Sequence, residues 1–309
     1  METARRVWQQ PDVDRWSKRR RRLEPLWFLL PSLTVFAVFA IWPTIEAVVT
    51  SLSRYNLTEP NARRVFIGLE NYRTMLADPT FWGDLVRSFQ FVIASVTVTL
   101  LLGFYIAYLL FNANRGRNIF RILFLVPMTV SPAITALSFK FMFNYEFGVI
   151  NVMLDGLIGK KLNLLGDAGL ALWATAAIDA WIWTPLVVLI LLSGLESLPV
   201  EPFEAAALDG AGAWDMLRSI TVPLLKRFFL IAALIRIMDA FRVYEIIQLT
   251  TAGGPGNLSE TLNVYIAKRG FSFFEMGPAS AMAMILTFII VAVGTVFVRQ
   301  SSAFEEATS

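Results

Sequence analysis

Six apolar runs alternate along the chain with shorter polar stretches: Leu26 to Val49, Phe89 to Phe111, Ile122 to Phe143, Leu170 to Leu195, Leu224 to Leu249 and Ala279 to Val298. About 20 residues of helix cross the hydrocarbon core of a bilayer, and the first run is longer than the apolar region of a cleavable signal. The pattern therefore predicts an all-α fold, a polytopic membrane protein with six transmembrane helices. Pro31 and Pro43 fall in the first run, Pro127 and Pro132 in the third and Pro185 in the fourth. Lipid tolerates such prolines where neighbouring groups satisfy the freed carbonyls.

The polar stretches are patterned too. Residues 50–85 carry Phe66, Leu69, Tyr72, Met75, Leu76, Phe81 and Trp82 at roughly helical spacing, which predicts short amphipathic helices at the membrane face. Residues 112–121 make a tight turn with Arg115, Arg117 and Arg121, and residues 144–169 make a longer loop. The stretch from about 196 to 222 reads as helix, turn, helix. Ala205 to Ala207 keep one helical face thin, Gly210 ends or bends that helix, and Asp215 suits the unpaired amides at the start of the second. Pro223 opens the next apolar run. An ordinary amphipathic connector between two spans has the same pattern.

Composition narrows the class. The chain has 309 residues, 56% of them hydrophobic, and a mean hydropathy of +0.58, too apolar for a soluble globular protein. It has no cysteine and no histidine, which removes disulfides, Cys or His metal sites, thiol nucleophiles and imidazole acid–base chemistry. No phosphate-cradling Gly-x-x-x-x-Gly-Lys-Ser/Thr run occurs, so any ATP hydrolysis belongs to other chains. The net charge is only +3, and the basic residues cluster at the start rather than along a stripe that would bind nucleic acid. Three parts result: a basic arm at 1–25, a six-helix transmembrane domain at 26–299 and a polar tail at 300–309.

Basic residues also orient the spans. Eight lie in the arm (Arg5, Arg6, Arg15, Lys18 and Arg19 to Arg22), three in the 112–121 turn, then Arg218, Lys226, Arg227 and Arg299; eight lie in the other set of loops. The excess places both termini and the Glu204 loop on the cytoplasmic side.

Charged residues inside spans demand partners or a wet cavity. Arg236, Asp239 and Arg242 follow one another at spacings of three, near one helical face. They read either as a structural salt-bridge ladder or as groups lining a pathway. Asp179, Trp181 and Trp183 before Pro185 combine a carboxylate with indoles, a set suited to polyhydroxylated ligands; an interfacial tryptophan belt is the other reading.

The order of residues in the loop is more specific than its pattern. Glu204-Ala205-Ala206, then Gly210, Ile220 and Pro223, resembles the EAA loop of ATP-binding-cassette importer permeases. Val222 stands where that family usually has Leu, and Arg227 where it often has a second Pro, both outside the docking half. Gly68-Leu69-Glu70-Asn71-Tyr72 with Asp78-Pro79 and Phe81-Trp82, and Thr251-Ala252-Gly253-Gly254-Pro255 with Glu260-Thr261-Leu262 and Gly277-Pro278-Ala279, resemble the carbohydrate members, the maltose and glycerol-phosphate types. The resemblance implies a type I ABC importer permease fold in a prokaryotic cytoplasmic (inner) membrane. It implies a coupling helix, with Glu204, Ala205, Ala206, Asp209, Gly210 and Ala211 docked in an ATPase cleft. It also implies four further chains: a second and different permease, two ATPase subunits holding Mg-ATP, and an extracytoplasmic solute-binding protein. No cofactor or metal is expected in this chain. The substrate positions carried over are Met128; Asp179, Trp181, Ile182 and Trp183; and Arg236, Asp239 and Ala240. A carbohydrate is the implied cargo, with an anionic phosphorylated or sulfonated polyol as the alternative suggested by Arg236 and Arg242. A secondary transporter would show paired halves with matching broken helices, and none is visible. A membrane enzyme would have to rely on Asp179 and Asp239.

Overall fold

The computed structural model describes residues 29–60, 62–113 and 115–308; the basic arm before Leu29 lies outside the described residues. The first helix, α1 (Leu29–Ser51), is exposed over nearly all its length. A π-helical turn at Ala37–Ile41 immediately precedes Pro43, widening the helix where the proline ring would otherwise press on the preceding turn.

The stretch after α1 is not purely helical. β1 (Ser53–Arg54) pairs antiparallel with β2 (Val65–Phe66), with Ser53 opposite Phe66. α2 (Glu70–Leu76) follows, and the Asn71 side chain donates to the carbonyls of Ser51 (2.8 Å) and Ser53 (2.9 Å), tying the hairpin to the end of α1. The second span, α3 (Pro79–Asn112), begins at Pro79 rather than at Phe89. Asp78 is the reason: its carboxylate caps the Thr80 N–H at 2.8 Å, with proline at the first helical position. Phe81, expected at the interface, is buried.

The third run is a correction of larger size. It forms α4 (Arg117–Thr129) and α5 (Pro132–Met142), which meet at 94°. Pro132 has no N–H and disfavours helical angles at Ser131, which is extended (ψ 136°), as is Val130 (ψ 137°). α6 (Val149–Ile158) then leads to α7 (Ala171–Glu196), which coincides with the expected fourth span. After it come α8 (Glu201–Leu208) and α9 (Ala213–Met216), the latter continuing through a π-helical turn at Leu217–Thr221. The fifth run also breaks, into α10 (Lys226–Ala240) and α11 (Glu245–Thr250). At that break the Asn263 side chain donates to the carbonyls of Arg242 (2.8 Å) and Val243 (3.3 Å), which the interrupted helix leaves open. α12 (Leu262–Ala267) and α13 (Met276–Thr308) complete the chain. Among the described residues, four helices are long and apolar enough to cross a membrane, and the α4–α5 pair makes a fifth span if its halves are counted together.

α3 and α7 run parallel and closest. A Cβ on Gly103 would stand 2.5 Å from Val187 Cγ1, so only glycine permits this approach. α10 runs antiparallel to α3, with Phe104 against Phe229 (ring centres 5.2 Å apart) near one end and Ser95 against Arg236 further along. One apolar cluster, including Phe91, Ile178, Ile182, Ala240 and Leu262, fills one half of the bundle. A second, around Leu110, Leu191, Leu195 and Leu225, fills the half that carries α8.

The first testable consequence concerns Asp78. Its other oxygen accepts from the Tyr265 hydroxyl at 3.0 Å, with Arg269 at 3.8 Å. Partial burial acts to raise its pKa, but the Thr80 and Tyr265 hydrogen bonds and the Arg269 charge outweigh this and hold the carboxyl below its ordinary value. A depressed folded-state pKa stabilises above the unfolded value, about 3.9, and that contribution is lost as pH falls through the folded value. Asp78→Ala should therefore destabilise by about 1 kcal/mol at neutral pH. Thermal unfolding in detergent should show the gap to the parent protein narrowing as pH falls below about 4; a gap independent of pH would contradict the assignment.

Candidate functional site

One rung of the ladder read along the fifth run, Arg236 with Asp239, is present, and the same arginine also joins two further helices. Arg236, on α10, is wholly buried. Its Nη2 donates to Asp179 on α7 at 2.5 Å and to Ser95 on α3 at 3.0 Å, while Nη1 donates to Asp239 at 2.9 Å. The Ser95 hydroxyl also donates to Asp179. The Trp183 ring lies against the guanidinium, its centre 5.4 Å from Cζ. Asp179 and Trp183 are four residues apart on one face of α7, which is why both reach the same arginine. Arg242 stands outside this group: it is exposed, lies beyond the end of α10, and makes no ion pair with Asp239 among the described residues.

The cluster holds one guanidinium and two carboxyl groups. Asp179 is buried within the bundle, whereas the Asp239 side chain keeps 39% of its surface exposed. Asp239 is therefore the member able to meet another molecule. The remaining carried-over positions scatter around it. Ile182 and Ala240 are buried in the apolar core, Trp181 is half exposed with its edge against Phe139 (5.3 Å), and Met128 is exposed beside the bend between α4 and α5. Of the carboxylate and two indoles read from the sequence as one set, Asp179 and Trp183 share a face at Arg236 while Trp181 lies against Phe139. Ser95 escaped the sequence reading; a lone serine among apolar residues of a span was its only signal.

The second candidate surface is the 201–216 segment, at the end of the bundle where α3 and α7 finish. α8 has no buried residue, and Leu208, Trp214 and Val200 are strongly exposed. Gly210 has φ +79°. Its N–H donates to Ala207 O (3.1 Å) and the Ala211 N–H reaches back to Ala206 O (2.9 Å), a Schellman ending that requires the left-handed residue. Asp215 accepts from the Gly212 N–H at 3.3 Å and starts α9. Glu204, Ala205, Ala206, Asp209, Gly210 and Ala211 consequently form one exposed helix and turn, as the sequence pattern predicted.

Comparison with known proteins gives a consistent picture. The family model described as "binding-protein-dependent transport system inner membrane component" matches residues 99–305. The trehalose/maltose transport system permease protein MalF of Thermococcus litoralis is 35% identical over 277 residues, covering 89% of this chain and 92% of that one. The sulfoquinovosyl glycerol transport system permease protein SmoG of Agrobacterium fabrum is 31% identical over 291 residues, covering 94% of each. Among solved structures, a chain of a bacterial alginate ABC transporter superposes with a TM-score of 0.79 at 19% identity, over 94% of this chain and 98% of that one. That likeness establishes the fold, the one shared by type I ABC importer permeases.

Proposed function

The chain belongs to the family of binding-protein-dependent transport system inner membrane components, and from that premise we propose that it is one permease subunit of an ATP-driven importer for a neutral carbohydrate. The observation that carries the mechanism is the largely exposed helix and turn at 201–211, which has no fully buried residue, with only Pro202, Phe203, Ala206 and Ala211 partly covered, and presents Leu208 and Glu204 on a defined scaffold. In this reading the segment docks in a cleft of an ATPase subunit, which holds Mg-ATP, and two such subunits serve this chain and a second, different permease. Closure of the ATPases moves the segment and switches the pathway between outward and inward access. An extracytoplasmic binding protein delivers the cargo.

The preference for neutral cargo rests on Arg236. Both of its amino groups are committed to Asp179, Ser95 and Asp239, so the group that the cluster offers outward is a carboxylate. Carboxylates accept hydrogen bonds from sugar hydroxyls and repel anions. The relative named for trehalose and maltose supports this reading. Exposed Arg242, together with the relative named for a sulfoquinovosyl glycerol, supports the anionic alternative. The two separate on one variant: Arg242→Gln leaves uptake of a neutral sugar intact and impairs only an anionic cargo.

Orientation is tested by labelling, since the chain contains no cysteine. Ala62→Cys, Lys160→Cys and Leu258→Cys should react with an impermeant thiol reagent added outside, and Gly212→Cys only after the cytoplasmic face is opened. Labelling of Gly212→Cys from outside would remove the docking assignment.

A further inference from the structure

The two ends of the exposed segment are fastened together, and the fastening reaches the bent third element. α7 enters the segment through Gly194, Leu195 and Glu196. The chain leaves it through Leu225 and Phe228, both part of or packed on the same apolar cluster, with Leu225 wholly buried. At Gly194 a Cβ would lie 2.6 Å from Phe228 Cγ and 2.9 Å from Leu225 Cδ2. The ring therefore occupies the place of a side chain, and the two ends of the segment meet in direct contact. Two residues further on, Glu196 forms an ion pair with Arg117, the first residue of α4, with side chains 38% and 34% exposed. α4 is the arm that runs to the 94° bend, with Met128 beside it.

We propose that the Gly194–Phe228 contact and the Arg117–Glu196 ion pair make the base of the 201–216 segment and α4 one moving body, so that displacement of the segment turns the arm at the Val130–Ser131 bend. This rests on the reading of the segment as the ATPase-docking surface. Arg117, Glu196 and Gly194 are positioning residues: they touch neither nucleotide nor the charged cluster at Arg236. A close-packed contact passes displacement because neither side can collapse into free volume, and the bend supplies two extended residues about which an arm can swing.

The test uses the complete importer, this chain with its partner permease, the ATPase pair and the binding protein, in proteoliposomes. The readout is cargo taken up per ATP hydrolysed. Arg117→Glu and Glu196→Arg should each lower that ratio about two- to fivefold, the range open to a half-exposed ion pair, and the two together should restore it. Gly194→Val should lower it more, and Phe228→Ala in the same chain should recover most of the loss by vacating the space. A merely structural role would reduce the amount of complex but leave the ratio unchanged. Because Arg117 and Glu196 are half exposed, their variants report on the proposal even if Gly194→Val fails to fold. An unchanged ratio in Arg117→Glu and Glu196→Arg, with the ATPase still bound, would overturn it. Absence of the ATPase from the unaltered complex would instead overturn the docking reading, and this proposal with it.

Discussion

Replacing Arg236 with Gln should nearly abolish accumulation of the folded subunit, and replacing Asp179 with Asn in the same chain should largely restore it. Arg236 is wholly buried, Asp179 almost so, and the two are joined at 2.5 Å. Removing one partner of such a pair strands a charge in a medium that cannot solvate it, at a cost of about 3 to 5 kcal/mol. Native proteins hold only about 5 to 15 kcal/mol of stability, so a loss of that size is a large part of the total. Removing both charges eliminates the stranded ion and leaves two amides able to hydrogen-bond Ser95. Asp239→Asn is the informative control. Its carboxylate is partly open to solvent, so combining it with Arg236→Gln should rescue less than Asp179→Asn does. Size-exclusion profiles after mild detergent extraction measure all these forms. Normal accumulation of Arg236→Gln alone would show that the triad does not hold the bundle.

Gly210→Pro should cut uptake by about a hundredfold while the subunit still accumulates. Gly210 sits at φ +79°, and the proline ring holds φ near −65°. The substitution also removes the N–H that donates to Ala207 O and breaks the turn that brings Ala211 to Ala206 O. A loss of about 3 kcal/mol at a docking helix corresponds to roughly a hundredfold in binding. The smaller substitutions separate backbone from contact effects. Among the described residues other than its chain neighbours, no atom stands within 4 Å of a Cβ at Gly210, so Gly210→Ala suffers only the angular penalty of about 1 to 2 kcal/mol, and Gly210→Asn, which visits the left-handed region readily, should suffer less. Uptake assays on whole cells should therefore rank Gly, Asn, Ala, Pro. Equal loss in all three variants would point to a contact at Gly210 instead of the turn.

The legible parts of this structure were those set by local pattern. The fourth run and α7 coincide because a predominantly apolar stretch of that length has few alternatives in a bilayer, even with Asp179 and Pro185 inside it. The helix–turn–helix at 201–216 was readable because Gly210 and Asp215 act on residues within five positions of themselves. The third run was misjudged although Pro127 and Pro132 were plain to see. Composition shows that a helix is interrupted, but not whether its halves remain in line or turn through a right angle. The beginning of α3 was available in Asp78-Pro79-Thr80, a capping sequence, yet the polar character of the following turn suggested a surface helix. Of the salt-bridge ladder, the Arg236–Asp239 rung is present among the described residues and the Asp239–Arg242 rung is not. Spacing of three along α10 predicted the Asp239 partner on the same helix, but Arg236 also finds Asp179 and Ser95 on neighbouring helices, contacts that no periodicity contains. Arg242 lost its place in the ladder because the helix breaks between Asp239 and Glu245.

The most direct test is ATP-driven uptake by the assembled importer. The chain, purified with the proteins that accompany it from the membrane, would be reconstituted into vesicles oriented with the 201–216 segment inside, with ATP inside and the binding protein and a panel of radiolabelled sugars outside. The expected result is co-purification of an ATPase and a second permease, and accumulation of a neutral sugar that requires ATP and the binding protein and is unaffected by collapsing ion gradients. Uptake by this chain alone, driven by an ion gradient without ATP, would contradict it.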